Sequence, residues 1–545
     1  MTAADPARTR VADVVARTLA AHGVRHVFGM PGGEVVEIVD ALGRAGIDFT
    51  LARHETAAAA MAAGAWAATG RPALLVTTIG PGLANAVDGI ADAAQERVPL
   101  VVLSGVVDRT IRGRFTHQVI DHRALLAPLV KTSVEIEAEG AGATVARALA
   151  AALDGPAGPV HLDLSPGVAA TVVDRPADTA APGPTAVLHL SPRAGDPAVG
   201  RIADRIATAR RPLIVAGFAA ALDHGGGAVA TLAEAIGAAV VTTYKAKGAI
   251  PEDHPLALGA AGLSPAADAI LMEAVRAADL VILIGYDPIE MRVGWLDAFD
   301  PARTVEIAPH RFDHGMHRAA LRLEAPVAAT AAALVATIGG HQGWPRGEVE
   351  ALRARLAARF AGPDRFGPHA IVATLRAHVG DGDVVTVDSG AHRILLSQLW
   401  TARRPVTLLQ SAGFCTMATA LPTAIGAKIA APERRVVAVM GDGGLEMGLG
   451  ELATLRDCGL PLTVVVFQDE SLALIALKQK AAGLARAGVD IGPTDFAALA
   501  RAFGGHGATV TDAAALAREL DDARVRDRFS LLACRFDADE YDGAF

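Results

Sequence analysis

The stretch Val436-Val437-Ala438-Val439-Met440-Gly441-Asp442-Gly443-Gly444 contains the pattern that decides the fold. Its apolar first half predicts a buried strand of a parallel sheet, and the glycine-rich turn with one carboxylate stands where that strand ends. Open α/β sheets bind ligands beyond the carboxyl ends of their strands. The stretch therefore predicts an α/β fold with a ligand site near Asp442.

A second strand-end motif follows at a fixed interval. The apolar run Leu462–Phe467 leads into Gln468-Asp469-Glu470-Ser471, and Asp469 follows Asp442 at an interval of 27 residues. Glycines let backbone N–H groups approach phosphate oxygens, and carboxylates are hard ligands that suit Mg²⁺. On these residues alone, an ordinary turn and a site for phosphate and a cation both remain open.

Similar apolar runs recur between Ala-rich stretches of helical character. They are Leu74–Thr78, Leu100–Ser104, Val160–Asp163, Leu213–Ala216, Val281–Ile284 and Val384–Asp388. Proline-containing polar segments at Asp174–Pro197 and Gly339–Pro368 interrupt this alternation and predict domain connections. Since a domain averages about 150 residues, we predict three consecutive α/β domains with parallel sheets covered by helices, over residues 1–175, 190–338 and 368–545.

The composition narrows the class of protein. The net charge of −9 and the absence of a Lys/Arg run exclude a basic surface for nucleic acid. No run reaches the roughly 18 apolar residues of a membrane span, and the first ten residues lack the apolar core of a signal peptide. We therefore expect a cytoplasmic protein without membrane or nucleic-acid partners. Cys415, Cys458 and Cys534 lack metal-type spacing and are expected to be reduced.

The two strand-end motifs resemble the signature of thiamine-diphosphate-dependent enzymes, a Gly-Asp-Gly followed some 27 residues later by a metal-binding Asn or Asp. The resemblance implies that Mg²⁺, bridging to the diphosphate, binds Asp442, Asp469 and the carbonyl of Ser471. The cofactor-binding positions that it assigns here are Gly441, Asp442, Gly443, Gly444, Asp469, Ser471 and Leu472. Most family members carry Asn in place of Asp469, whereas the FAD-independent catabolic branch of acetolactate synthases carries Asp.

Glu55 is the candidate catalytic residue. It follows Arg53-His54 and precedes the small apolar run Ala57–Ala65, which predicts a helix. A glutamate near a helix start is often only a favourable partner of the helix dipole, and the local residues leave that interpretation open. The segment resembles the one whose glutamate hydrogen-bonds N1′ of the cofactor's aminopyrimidine. The resemblance implies that Glu55 promotes removal of the proton from C2 of the thiazolium.

Three further segments of the first domain resemble the same family. Gly29–Gly33 is similar to its glycine-rich loop over the reacting centre, and Thr78–Asn85 to its Gly-Pro-Gly-x-x-Asn turn. A His-Gln pair resembles one that reaches the active site in catabolic acetolactate synthases, although such a dipeptide alone is usually a surface loop. The site residues implied by these matches are Pro31, Gly32, Gly80, Asn85, His117 and Gln118.

The last domain carries two further matches and one departure. Ser389–His392 resembles a second diphosphate contact, and Ser411–Met417 resembles the segment whose bulky residue holds the cofactor bent, which makes Met417 the candidate wedge. The site residues implied are Gly390, Ala391, His392, Thr416 and Met417. Lys478 stands where catabolic relatives carry glutamine. It is either a solvated helix residue or a substrate-pairing cation in the pocket.

The resemblance covers essentially the whole chain and is nearest in character to the FAD-independent catabolic acetolactate synthases. It is also carried by Leu283–Glu290, which lacks the arginine-containing turn of FAD-binding relatives, so FAD is not expected. The implied reaction decarboxylates a 2-oxo acid such as pyruvate and joins the remainder to a second carbonyl, of a 2-oxo acid, aldehyde or ketone. Alternatives are a 2-oxo acid decarboxylase, a 2-hydroxy-ketone lyase or a non-catalytic cofactor-binding regulatory subunit. We expect a homodimer or homotetramer with active sites shared between subunits.

Overall fold

The computed structural model describes residues 8–174, 191–222, 227–312 and 315–545. Over these residues the chain forms three parallel sheets of six strands each, together with a small antiparallel pair. The predicted boundary positions 175 and 190 lie outside the described residues, as do Pro176, Pro182 and Pro184 of the first predicted connection. The architecture confirms the prediction of three α/β units with helix-covered parallel sheets.

The elements are numbered in chain order. In the first unit the strands are β1 (Arg8–Arg10), β2 (His26–Met30), β3 (Asp48–Leu51), β4 (Ala73–Thr77), β5 (Leu100–Gly105), β6 (Ser133–Glu135), β7 (Val160–Leu164) and β8 (Val172–Asp174). Its helices are α1 (Val11–Ala21), α2 (Val36–Arg44), α3 (Glu55–Thr69), α4 (Pro81–Gln95), α5 (Arg109–Arg112), α6 (His122–Leu126), α7 (Ala141–Leu153) and α8 (Pro166–Ala170). β1 pairs with β8 in the antiparallel ribbon.

The central unit contains strands β9 (Pro212–Ala216), β10 (Ala239–Thr243), β11 (Ala257–Ala261), β12 (Leu280–Ile284), β13 (Thr304–Ala308) and β14 (Leu321–Glu324). The helices here are α9 (Pro197–Thr208), α10 (Phe218–Leu222), α11 (Ala228–Ile236), α12 (Pro265–Ala277), α13 (Val327–Ile338) and α14 (Glu348–Arg359). Helix α14 lies inside the second predicted connection, where the proline pattern predicted no helix. Its Leu352 and Leu356, one helical turn apart, pack on the core and stabilise it there.

The last unit contains strands β15 (Val384–Val387), β16 (Leu408–Gln410), β17 (Val436–Gly441), β18 (Thr463–Gln468), β19 (His506–Val510) and β20 (Ser530–Arg535). Its helices are α15 (Pro368–His378), α16 (Ala391–Leu399), α17 (Ala420–Ala430), α18 (Asp442–Met447), α19 (Glu451–Asp457), α20 (Ala473–Ala481), α21 (Phe496–Ala502) and α22 (Ala513–Asp522). The predicted strands all appear, with ends within one residue of those predicted. Among the described residues, no helix combines the length and apolar character needed to cross a membrane.

The first and last sheets share one winding order. The first runs β3-β2-β4-β5-β7-β6 and the last β16-β15-β17-β18-β20-β19, so the direction of winding reverses between β2 and β4 and between β15 and β17. Open α/β sheets form a ligand crevice beyond the carboxyl ends of the strands at this reversal. The glycine-rich segments of the sequence follow these four strands.

The central sheet is wound differently, in the order β11-β10-β9-β12-β13-β14, with its reversal between β9 and β12. A crevice of about 320 Å³ opens beyond these strands, and Phe218, Asp287 and Glu290 are among its lining residues. The first unit lines this crevice as well, through Trp66, Gln95 and Arg97.

The first and last units pack together through α3 and α17. A Cβ atom on Gly64 would lie 2.0 Å from the carbonyl oxygen of Thr423, and one on Gly426 would lie 1.8 Å from that of Met61. Only glycine permits this approach of the two backbones. The contact fixes the start of α3, with Glu55, relative to the last unit.

Candidate active site

The carboxylate of Asp442 is held at the carboxyl ends of the neighbouring strands β17 and β18. Its Oδ2 accepts backbone N–H bonds from Asp469 over 3.0 Å and from Glu470 over 2.6 Å. Its Oδ1 accepts the N–H of Gly443 over 2.8 Å. The turn after β18 is therefore fastened to the turn after β17.

Two acidic side chains share this buried edge. Burial raises the pKa of Asp442, although the hydrogen bonds from backbone N–H groups act to lower it. Burial, and then the charge of Asp442, raise the pKa of Asp469 to about 8. A cation beside both carboxylates would relieve their repulsion, and hard oxygen donors are the ligands that Mg²⁺ prefers. The predicted pair of acidic metal ligands thus fits a divalent cation.

The third predicted metal ligand, Ser471, is buried in the turn after β18. Its hydroxyl accepts a hydrogen bond from Arg486 over 2.9 Å, and its backbone bridges to Asp490. This pairing fixes the direction of the backbone directly after Asp469.

Close packing requires glycine at several predicted diphosphate contacts. A Cβ on Gly444 would lie 2.3 Å from Oδ2 of Asp388, and one on Gly390 would lie 2.5 Å from the ring of His392. The ring of His392 bonds Oδ1 of Asp388 over 3.0 Å, and Oδ2 of Asp388 accepts the N–H of Ala418 over 2.9 Å. Ala391 and His392 begin α16 at the same edge. Asp388 therefore joins the β15 turn to the segment carrying Met417, a role that the sequence analysis missed although it placed Asp388 at a strand end.

Met417, the candidate wedge, lies beside the glycine turn. The methyl of Met417 lies 3.8 Å, and a methyl of Leu472 3.3 Å, from the point where a Cβ on Gly443 would stand. Thr416 donates its hydroxyl to Asp88 on α4 over 3.2 Å. The predicted residues Thr416, Met417 and Leu472 thus connect the Gly441–Gly444 turn with the first unit.

Glu55 is the first residue of α3, and its side chain is buried. Asn85 donates from Nδ2 to Oε2 of Glu55 over 3.2 Å. A Cβ on Gly82 would stand 3.3 Å from Oε1 of Glu55. Asn85, predicted as a cofactor contact, therefore positions the candidate catalytic carboxylate.

The remaining predicted residues of the first unit lie on the loops after β2, β4 and β5. A Cβ on Gly32 would stand 2.1 Å from the hydroxyl of Thr78, and one on Gly80 would stand 2.1 Å from the carbonyl oxygen of Gln118. Both Gly80, with φ 54°, and Gln118, with φ 57°, have left-handed backbones. Pro31 and His117 are exposed. The structure thus brings the Gly32, Gly80 and Gln118 segments together.

Lys478 lies on the exposed side of α20, and its ammonium has no hydrogen bond or ion pair with any residue that the structure describes. The nearby Lys480 pairs with Asp542. Within one chain, therefore, Lys478 is free to contact solvent, substrate or another subunit.

The sequence analysis also missed Glu96, a buried residue directly after α4. It accepts the backbone N–H groups of Ala412 over 2.8 Å and Gly413 over 2.7 Å. Lys245 of the central unit pairs with it over 2.7 Å. Glu96 thereby links all three units at the segment that precedes Met417, and no local motif could have identified a contact between residues so distant in sequence.

Comparison with known proteins agrees with this geometry. Three family models match the chain: the N-terminal TPP binding domain of thiamine pyrophosphate enzymes at residues 9–125, their central domain at 199–334 and their C-terminal TPP binding domain at 388–534. Thiamine pyrophosphate and thiamine diphosphate are the same compound. The matches fall one on each α/β unit.

Relatives of similar length are acetolactate synthases. The chain is 31% identical to the acetolactate synthase of Bacillus subtilis, over 92% of this chain and 89% of the relative. It is 31% identical to the catabolic acetolactate synthase of Raoultella terrigena, over 93% and 91%. The probable acetolactate synthase large subunit of Methanocaldococcus jannaschii is 30% identical, over 90% and 86%.

A solved structure shares the fold. The thiamine diphosphate-dependent 4-hydroxybenzoylformate decarboxylase of Rhodococcus jostii superposes with a TM-score of 0.83 at 22% identity, over 98% of this chain and 100% of that chain. The arrangement of three sheets is therefore that of a thiamine-diphosphate enzyme. Together with the full-length relatives, it shows that the chain belongs to the acetolactate synthase family of thiamine-diphosphate-dependent enzymes.

Proposed function

We propose that this enzyme decarboxylates pyruvate and joins the two-carbon remainder to the carbonyl of a second pyruvate, which gives 2-acetolactate. Two observations together carry the proposal. Glu55, buried and bonded by Asn85, lies where the winding of the first sheet reverses, and the carboxylates of Asp442 and Asp469 lie at the strand ends of the last sheet. The names of the full-length relatives, among them a catabolic acetolactate synthase, support the same activity. We place the three domains at residues 1–175, 190–338 and 368–545.

The residues of the last domain fit Mg²⁺ and a diphosphate group. Asp442, Asp469 and the carbonyl of Ser471 would hold the cation, and its charge would allow both carboxylates to ionise together. Gly441, Gly443, Gly444 and Gly390 would line the diphosphate on the turns that begin α18 and α16. When bound, thiamine diphosphate supplies a cationic thiazolium that accepts the electron pair left by decarboxylation.

The residues of the first domain would control protons at the pyrimidine. Glu55 would share a proton with N1′, because its carboxylate stands at the buried start of α3 with one oxygen already oriented by Asn85. Met417, held beside Gly443, would keep the cofactor bent. Pro31 and Gly32 would cover the reacting centre, and Gly80 would contact the pyrimidine.

Three of the predicted residues would contact the substrate rather than the cofactor. His117 and Gln118, on the loop that abuts Gly80, would reach the substrate. Lys478 would pair with a substrate carboxylate if α20 faces the pocket. Its departure from the glutamine of catabolic relatives favours a second candidate function, in which the same chemistry serves a 2-oxo acid decarboxylase or 2-hydroxy-ketone lyase.

We also infer that the enzyme works without FAD. Two carboxylates, Asp287 and Glu290, line the central crevice. Glu290 is fully buried and accepts the N–H of Phe218 over 3.2 Å, and Asp287 pairs with Arg97 over 2.7 Å. Arg97 and Lys245 line the same crevice, so its charge is balanced, and the inference rests on the Leu283–Glu290 turn, which lacks the arginine of FAD-binding relatives. A flavin absorption spectrum of the purified protein tests the inference.

We further propose a cytoplasmic homodimer or homotetramer with active sites shared between subunits. Two large apolar side chains near the glycine turns, Phe414 and Met447, are 42% and 67% exposed in the single chain. A second copy would cover them, and a symmetric dimer would contain two equivalent sites. Because the net charge is −9, a small anionic substrate would need local cations in the pocket, and nucleic acid is disfavoured as a partner.

One experiment separates the candidates. Purified protein with thiamine diphosphate and Mg²⁺ is given pyruvate, other 2-oxo acids and aldehydes, and the products are identified by mass spectrometry. Formation of acetolactate when pyruvate is the sole substrate supports the proposal. Release of free aldehyde, or cleavage of a 2-hydroxy ketone, supports the second candidate, and no turnover of any 2-oxo acid contradicts both.

A further inference from the structure

A buried polar cluster lies behind the Gly80 turn, among residues that the sequence analysis did not single out. His122, His161 and Asp163 are all buried, and the ring of His122 bonds Oδ1 of Asp163 over 2.7 Å through Nδ1. The other ring nitrogen of His122, Nε2, accepts the backbone N–H of Gly80 over 3.4 Å. His122 thus bridges β7 to the residue that caps α4.

The hydrogen bonds fix the tautomer of His122. The backbone N–H of Gly80 can only donate, so Nε2 must be unprotonated, and Nδ1 must carry the proton that it donates to Asp163. Burial raises the pKa of Asp163, but hydrogen bonds from His122 and His161 outweigh burial and hold that pKa below its ordinary value. The ionised carboxylate in turn keeps the ring of His122 in this tautomer.

His161 completes the support from the other side. Its Nδ1 bonds the hydroxyl of Ser133 over 2.8 Å, and its Nε2 bonds the hydroxyl of Ser104 over 3.2 Å. The side chains of His122, His161 and Asp163 are of types that can bind a metal ion. Since each ring nitrogen already has a hydrogen-bond partner within the protein, the cluster needs no cation to satisfy its buried polar atoms.

The restrained turn leads directly to the catalytic glutamate. Gly80 caps α4, and two residues at the start of α4, Gly82 and Asn85, stand against Glu55. Gly80 has a left-handed backbone and packs against the carbonyl of Gln118, and its own carbonyl accepts the N–H of Ala84 over 2.9 Å, so that His122 is the partner of its N–H. The hydrogen bond from its N–H to His122 therefore ties the cap of α4 to β7.

We propose that His122 is a positioning residue, which holds the Gly80 turn through Nε2, is itself oriented by Asp163, and so sets the place of Asn85 and Glu55. The inference rests on the catalytic role proposed for Glu55. Its first test is made on the cofactor-free protein, so that its failure and the failure of the proposed function are distinguishable.

Two substitutions separate the two nitrogens of the ring. His122→Gln can place its amide oxygen where Nε2 stands and keep the bond to Gly80, but it loses the donor to Asp163. His122→Asn can place its amide nitrogen near Nδ1 and keep the bond to Asp163, but it cannot reach Gly80. His22→Asn changes another buried histidine of the same domain, whose ring bonds Thr18 over 2.8 Å, and is the matched control.

Hydrogen–deuterium exchange of peptides covering residues 78–86 is measured in the cofactor-free protein, with kcat, KM and the cofactor Kd measured afterwards. We expect His122→Asn to accelerate exchange at Gly80 and the start of α4 at least tenfold and to lower kcat at least tenfold. For His122→Gln and His22→Asn, the local exchange rate and kcat should each remain within about threefold of wild type, whatever the melting temperatures of these variants. A role in stability alone would instead make exchange and activity follow the melting temperature in all three variants.

Three results would overturn the proposal. One is equal local exchange in the Asn and Gln variants. Another is a tenfold loss of activity in folded His122→Gln. This result would overturn the proposal even if His122→Asn does not fold. The third is stoichiometric zinc or another transition metal in the purified protein, lost on substitution of His122, which would make the cluster a metal site.

Discussion

Asn85 donates a hydrogen bond to Glu55 over 3.2 Å, and so joins the start of α4 to the start of α3. The bond leaves Oε1 of Glu55 without a donor among the described residues, beside Gly82. One carboxylate oxygen is therefore oriented, and the other is available to a ligand. This division suits a carboxylate that shares a proton with a bound ring nitrogen.

Glu55→Gln tests that role. The amide has the shape of the carboxylate but cannot exchange a proton with N1′, so we expect kcat to fall by about 10² to 10⁴. The cofactor Kd, measured by quenching of intrinsic fluorescence, should change by less than about fivefold. Glu348→Gln is the matched control, because Glu348 is also the first residue of a helix but is only half-buried and pairs with Arg211. Turnover by Glu55→Gln close to wild type would contradict the assignment.

The Asp442–Asp469 pair predicts a pH-dependent affinity for Mg²⁺. The pKa of Asp469 is raised to about 8 by burial and by Asp442, so below that pH the cation must displace a proton. We expect the apparent affinity for Mg²⁺, in the presence of the cofactor, to fall by up to tenfold for each pH unit between 8 and 6. Calorimetry in buffers of different ionisation enthalpy should detect proton release at pH 7.

Asp469→Asn provides the control for this prediction. Asparagine keeps a hard oxygen but has no proton to lose, so proton release should diminish and the affinity should vary much less with pH. Since the pKa of Asp442 is also raised by burial, some dependence on pH remains. Equal proton release by Asp469→Asn and wild type would show that another group titrates.

Mixed oligomers test whether active sites are shared between subunits. Glu55→Gln and Asp442→Ala subunits are each expected to be inactive alone. In a heterodimer, one of the two shared sites would combine an intact Glu55 with an intact Asp442, so refolded mixtures should regain up to about a quarter of wild-type activity. A heterodimer isolated with two affinity tags that remains inactive would place each site within a single chain.

The sequence predicted the strands well because buried parallel strands are continuous apolar runs, such as Val436–Met440, that contrast with their glycine-rich ends. The family resemblance, not the strand pattern, grouped the glycine segments that follow β2 and β4 and those that follow β15 and β17, where the winding reverses. Short edge strands such as β6 and β16 were missed, since three residues carry no periodicity, and the longer buried strands β10, β13 and β20 were not identified either. The proline pattern alone did not predict α14.

The supporting residues of the site could not be predicted. Glu96 binds a turn more than 300 residues away in sequence, and His122 acts through Gly80, which lies 42 residues before it. Neither contact leaves a local pattern, because it depends on how α4 and the loops pack. Lys478 is the opposite case, since its departure from the family pattern is visible in the sequence but its partner is not visible in a single chain.

Lys478→Gln restores the residue that the resemblance implies for catabolic relatives and tests what the ammonium does. Lys478 is exposed on α20 and has no ion-pair partner among the described residues, so the substitution should leave the melting temperature unchanged within about 1 °C. If the ammonium pairs with the carboxylate of the acceptor, a charge-assisted hydrogen bond worth about 1–3 kcal/mol is lost. KM for a 2-oxo acid acceptor should then rise about tenfold or more, while use of neutral aldehydes improves in relative terms. Lys480→Gln is the control, because that lysine stands two residues away on the same helix and pairs with Asp542. Identical product profiles for wild type and both variants would assign Lys478 to the solvated surface of α20 and would favour the acetolactate synthase activity over the lyase.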